Sequence, residues 1–190
     1  MQSAYVRTDK VNEVVDNACQ CAAFCRELDA RPLAWKWVAI SGSMMVQSAC
    51  VLALTDAATS NAYIVGDIET YLNGRKRDQD LAAFGTLVER VSTKPVVTSP
   101  VGGQTAERVT LLHTRIRNPF QHFRSDGWSF EVSGLPDCVL ATCDLVQHLV
   151  LDHPGPTIRL SREQSDLLAT SISSIRDHME RRSSEDIAPA

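Results

Sequence analysis

The chain has 190 residues, of which 44% are apolar and 22% charged, and it carries a formal charge of −4. That length suits one domain with a sizeable core, and those proportions match globular averages, which excludes a disordered chain and a coiled-coil rod. The net negative charge excludes a general nucleic-acid coat but leaves room for a local basic patch, because binding follows how charge is spread over a surface.

Val11, Val14, Val15, Ala18, Ala22, Cys25 and Leu28 recur at helical spacing behind Thr8-Asp9, a capping pair, and predict a first helix over about residues 9–29. Pro32 stands near the first position of a second helix, whose apolar run extends to Leu54. Within it, Trp37 to Thr55 is uncharged and long enough to be tested as a membrane span. Ser41, Gly42, Ser43, Gln47 and Ser48 dilute it and no flanking Lys/Arg asymmetry sets a topology, so a buried core helix and no membrane contact are expected.

Residues 61–80, "NAYIVGDIETYLNGRKRDQD", break the pattern with Gly66, Asn73-Gly74 and a charge cluster, which reads as a short helix or two around a turn. A helix over "LAAFGTLVERV" follows, and Pro95 to Gly103 is the clearest loop. The next helix, "QTAERVTLLHTRIRNPFQHF", sets Val109, Leu112, Ile116 and Phe120 on one stripe. In "RSDGWSFEVSG", Trp128, Phe130 and Val132 alternate with polar residues, as in a short strand or an ordered loop. Pro136 opens a helix through about Leu151, and Ser161-x-x-Gln164 is a capping-box start for a last one to about Arg182. The sum is an all-α bundle of five to six helices with one short extended segment: a single domain over 1–182 and a flexible tail over 183–190.

The opening residues lack an apolar signal-peptide core, so the six cysteines read as reduced thiols of a cytoplasmic protein. Cys19-x-Cys21-x3-Cys25 suggests a metal at first sight. On a helix, however, Cys21 and Cys25 share a face that Cys19 does not, and no further pair completes four ligands; Cys138 and Cys143 do not converge either. Small buried side chains account for all six, and no metal or cofactor is expected. Neither a Gly-x-Ser-x-Gly elbow nor a P-loop occurs, and Arg75-Lys76-Arg77 reads as a solvated loop.

The decamer Thr114 to Phe123, "TRIRNPFQHF", is the one stretch that suggests chemistry. With its flanks it gathers His113, Arg115, Arg117, His122 and Arg124 within twelve residues of an acidic protein. On an ideal helix Arg117 and His122 would lie about 140° apart. Pro119 lacks an N–H and clashes with the carbonyl of Arg115, while Asn118-Pro119 followed by Gln121 spells a cap and a new start. A kink or restart at Asn118 is therefore expected, aiming free N–H groups at a phosphate beside Arg117. His122 would move protons near neutrality, and Arg117 would hold the phosphate with its charged fork. Glu107 and Glu131 offer a bland alternative, a neutralising ion-pair network around the arginines. Gln47 reads as a satisfied core amide in preference to one that faces the motif.

Arg117-Asn118-Pro119-Phe120-Gln121-His122 resembles the Arg-x(4–6)-His motif of the HEPN superfamily, small α-helical proteins of which many are metal-independent endoribonucleases. The opening "LAWKWVAISGSMMVQSACVLAL" and "GWSFEVSGLP" behind the motif are similar to one group of small stand-alone HEPN-like proteins, over roughly residues 30–150. The resemblance implies that Arg117 and His122 form the catalytic pair, supported by Asn118, with Arg115 and Arg124 available to touch RNA. It implies a homodimer or pseudo-dimer in which two motif copies face each other, and a role as a toxin or antiphage effector, in some members bound to an antitoxin or to a CRISPR- or Argonaute-type sensor. Arg124 stands where HEPN toxins controlled by adenylylation carry a tyrosine, so that control is not expected. The competing expectation is a HEPN-like module that binds RNA or protein without cutting.

Overall fold

The computed structural model describes residues 8–54, 81–93, 99–121, 129–155 and 158–185. The helices expected within 61–80 lie outside these residues, as do His122 to Trp128. Among the described residues six helical segments form the bundle and no β-ladder occurs. Residues 129–132, expected as a strand or an ordered loop, have no strand partner there.

Helix α1 (Lys10–Glu27) starts where its cap dictates: the Asp9 carboxylate accepts from the N–H groups of Val11 and Asn12 at 3.0 and 2.9 Å. A 3-10 turn (Pro32–Ala34) opened by the proline leads into α2 (Trp35–Leu54). Two short helices follow, α3 (Phe84–Val91) and α4 (Gly103–Leu111), and the N–H of Val101 bonds the carbonyl of Val91 at 3.0 Å, pinning the loop between them. Helix α5 (Leu135–Val146) begins after Gly134, whose φ of 76° only glycine adopts at little cost. Helix α6 (Arg162–Glu185) starts on the expected capping box. Ser161 N–H bonds Gln164 Oε1 at 2.8 Å while Gln164 N–H bonds Ser161 Oγ at 3.1 Å. It extends three residues past the expected end of the domain at 182, and residues 186–190 lie outside the described set.

α2 is the spine of the bundle, with α1, α5, α3 and the continuation of α4 packed around it and α6 closing over α1 and α5. Pro32–Leu54 is long and apolar enough to cross a membrane, with a mean hydropathy of 1.6 over an 18-residue window, 67% of which is buried inside the bundle. Val38, Met45, Val46, Ala49 and Cys50 of this helix are wholly buried, and so are Val139, Leu145 and Val146 of α5. Leu168, Ile172, Ile175 and Met179 form the inner stripe of α6. Each of these valines, leucines, isoleucines and methionines stabilises the fold by about 1.5–3 kcal/mol relative to leaving it in water.

Gly42 of α2 sits where three elements converge. A methyl group there would meet Leu112 and Thr142 at 3.8 Å and the Cys21 sulfur at 3.9 Å, which is ordinary contact. Gly42→Ala is expected to be neutral or to stabilise by up to about 1 kcal/mol through helix propensity. Gly42→Leu should overfill the junction and cost about 1–3 kcal/mol. Urea midpoints for the two variants check this, and a leucine variant as stable as wild type would contradict the packing.

The cysteines follow their burial. Cys21 and Cys25 face the core together, while Cys19 turns to the Ser171 hydroxyl at 3.4 Å. Burial pushes the Cys50 and Cys143 thiols well above the usual thiol range, which keeps them protonated and unreactive. Among the described residues no group of His, Cys, Asp or Glu is arranged to hold a metal.

Candidate functional site

α4 does not stop at Leu111. It continues through a π turn (Leu112–Arg117) into a last helical turn (Asn118–Gln121). Of the kink or restart expected at Asn118, the restart does not occur: this residue has helical angles, φ −63° and ψ −45°, and its N–H bonds the carbonyl of His113, five residues back. Proline fits because the widened turn already departs from the i−4 pattern that the ring would violate, so no fan of free N–H groups opens beside Arg117. The Asn118 side chain does not cap. Its Oδ1 accepts from Arg117 Nη1 at 3.0 Å, a bond that orients the guanidinium. Phe120 anchors the turn by meeting the Phe130 ring edge-on, centroids 5.2 Å apart.

Arg117 is half-buried, and its Nε is shut off from solvent with no hydrogen-bond partner. Burial lowers its pKa, but arginine starts so high that the group stays cationic. It projects into a cleft of about 430 Å³, within the range of small-ligand sites. Met44, Gln47, Ser48 and Val51 of α2 form one wall of this cleft. Lys10 and Glu13 of α1, Leu81 and Gln121 are the other described residues that line it. Arg117 and Gln121, four residues apart, reach it from the same helical face.

Three larger grooves lie elsewhere among the described residues. One, about 600 Å³, runs between α3 and α4 and includes Glu89 and Glu107 among its walls; a second, about 540 Å³, lies on α6 and is lined by Arg162, Glu163 and Asp166; the third, about 830 Å³, lies between the starts of α1 and α6 and is lined by Glu13, Asp16 and Glu163. Among the described residues each of these grooves is lined by more carboxylates than cations, whereas the Arg117 cleft sets Arg117 and Lys10 against the one carboxylate of Glu13, which makes it the better anion site.

The decamer is thus divided. Arg117 and Asn118 are brought together; Arg115 is exposed and does not line the cleft. His122 and Arg124 lie outside the described residues, although His122 directly follows Gln121 in sequence. His113 is not one of the cations. It is 8% exposed, its ring lies flat on Phe84 with centroids 3.7 Å apart, and burial, assisted by the Arg117 charge, lowers its pKa to about 4. Nor, among the described residues, do Glu107 and Glu131 pair with Arg115 or Arg117. Glu107 is exposed and outside the cleft, and Glu131 accepts from the Ser133 hydroxyl.

Gln47 requires the clearest correction: it is half-buried and faces the cleft instead of the core. Among the described residues it has no hydrogen-bond partner. Sequence reasoning also missed Lys10, Met44 and Ser48. The signal was there, since Met44, Gln47, Ser48 and Val51 recur at helical spacing and put two polar residues on one edge of an otherwise apolar helix.

Fold and cleft together define an all-α bundle with a half-buried arginine set in an amphipathic cleft. Comparison with protein-family models, characterised proteins and solved structures gives no match to this chain.

Proposed function

We propose that the protein is a metal-independent endoribonuclease of the HEPN type. In this reading Arg117 holds the scissile phosphate and stabilises charge building on its oxygens. His122 takes the proton from the ribose 2'-hydroxyl as that oxygen attacks phosphorus. The bond from phosphorus to the 5'-oxygen breaks, a proton is returned to the leaving oxygen, and a 2',3'-cyclic phosphate and a 5'-hydroxyl result. Asn118 positions Arg117, and Arg115 and Arg124 contact flanking phosphates. Two copies act as a homodimer, each completing the other's site, in a cytoplasmic toxin or antiphage effector governed by an antitoxin or sensor protein.

One observation carries this reading: an arginine of the Arg-x4-His motif is oriented by the asparagine beside it and lines a cleft of ligand size. A second reading, a module that binds RNA without cutting, draws on the helical course of Asn118–Gln121, which withholds the helix-start dipole from the phosphate.

Incubating the full chain with a mixed RNA pool in EDTA separates the two. Cleavage with cyclic-phosphate ends is expected, falling about 10²–10⁴-fold in His122→Ala. Undiminished cleavage in that variant would refute the assignment, and RNA retention without any cleavage would favour the binding module.

A further inference from the structure

The outer face of α4 and its continuation carries a pattern complementary to its own reverse. Glu107 and Arg115 each stand four residues from Leu111, on either side of it, and residues four apart are neighbours on one helical face. The π turn that begins at Leu112 widens this spacing only slightly, so Arg115 stays beside Leu111. All three are exposed, and Leu111, at 48%, is a large apolar side chain left in water. Leu111 also lines the groove of about 600 Å³ between α3 and α4, together with Gly85, where an added methyl group would meet nothing within 4 Å. The hydroxyls of Thr110 and Thr114, in the same lining, donate to the carbonyls of Ala106 and Thr110 at 2.8 Å. Covering this face therefore orphans neither hydroxyl. The charges differ. Arg108 is paired with Asp137 at 3.5 Å, but among the described residues Glu89, Glu107 and Arg115 form no ion pair.

We propose that this face docks a second copy of the chain: two α4 helices pair antiparallel about a two-fold axis at Leu111. Reversing one helix about that residue sets Glu107 of each copy against Arg115 of the other. Each charge lies about 6 Å along the helix from the axis, so both ion pairs form at once in a near-antiparallel crossing. Each Leu111 then leaves water against its copy and the apolar part of the groove. Charge complementarity selects this occupant. The groove carries the carboxylates of Glu89 and Glu107 with its own cation, Arg108, already paired, and the same face supplies the missing cation in Arg115. A guanidinium has five donors, so Arg115 can hold that carboxylate and still reach a phosphate. The ribonuclease reading calls for a homodimer without naming a face, whereas this pairing rests on the surface of α4 and is independent of RNA cleavage.

Sedimentation equilibrium of the full chain tests the pairing. One leucine and one ion pair per copy make a small, transient interface, so a dissociation constant on the order of ten micromolar is expected, rising with salt. Leu111→Asp, which sets two carboxylates on the axis, should leave a monomer. Glu107→Arg and Arg115→Glu each bring like charges together and should each weaken self-association about tenfold or more. An equimolar mixture of these two variants should dimerise as the wild type does, because one copy then has cations at both positions and the other has carboxylates. Circular dichroism checks that each variant folds, and pairing in the mixture shows that both keep the surface intact. A monomeric wild type, a dimer that survives Leu111→Asp, or a mixture that associates no better than its components would overturn the pairing. A dimer indifferent to all three substitutions would leave the homodimer of the ribonuclease reading in place on another face. Cross-pairing in the mixture without RNA cleavage by the wild type would keep this interface and remove the nuclease.

Discussion

Arg117→Ala is expected to reduce RNA cleavage about 10²–10³-fold, the usual effect of removing one preorganised donor from a developing oxyanion. The loss should fall mainly on kcat, because the guanidinium matters most when charge accumulates on phosphorus-bound oxygens. Arg117→Lys should recover only part of the rate. Lysine restores a charge but not the planar fork, and it cannot keep the geometry that Asn118 Oδ1 imposes on Nη1 at 3.0 Å. Single-turnover rates for the alanine and lysine variants, beside circular dichroism to show that both fold, give the comparison. Wild-type rates in the alanine variant would remove Arg117 from the chemistry.

The second large effect is on stability. His113 is neutral in the folded chain, with its pKa lowered to about 4 from the ordinary value of 6.5, chiefly by burial and secondarily by Arg117. Well above pH 6.5 neither folded nor unfolded chain holds a proton on this ring, and its contribution is complete. As pH falls from 6.5 toward 4 the unfolded chain gains the proton and the folded chain does not, so stability falls with pH and levels off below 4. Over that window the loss approaches about 3 kcal/mol as an upper bound. Carboxylates protonate in the same range, so the measurement is a difference: urea unfolding from pH 7.5 to 4 for the wild type and for His113→Phe, which keeps a ring against Phe84 and cannot titrate. The variant should lose less stability on acidification. Identical pH profiles would mean that His113 is not held neutral.

Local signals carried most of the fold. Asp9, Pro32, Pro136 and the Ser161–Gln164 box each act within three or four residues of themselves, and the structure uses every one where the sequence placed it. The stripe of Leu168, Ile172, Ile175 and Met179 likewise needs only a helical period and a core to face. The site was less legible because its facts are tertiary. Proline breaks a helix that keeps i−4 bonding; it is absorbed where neighbours hold a wider turn, and a propensity rule cannot see those neighbours. A histidine among arginines reads as a cation until Phe84 covers its ring. Gln47 reads as core until one knows that α2 has an edge left uncovered by α1 and α5.

The π turn at Leu112–Arg117 gives α4 two independent angular settings. Val109, upstream of it, and Leu112, its first residue, are phased to the core, and both are about 1% exposed. From its last residue onward, an extra residue in the turn resets the azimuth, so that Arg117 and Gln121 point at the cleft without obeying the period that buries Val109. The helix is a jointed lever: one arm is seated by packing and the other is aimed by the joint. Substitutions in the seated arm are therefore judged by the core, and those in the aimed arm by whatever enters the cleft.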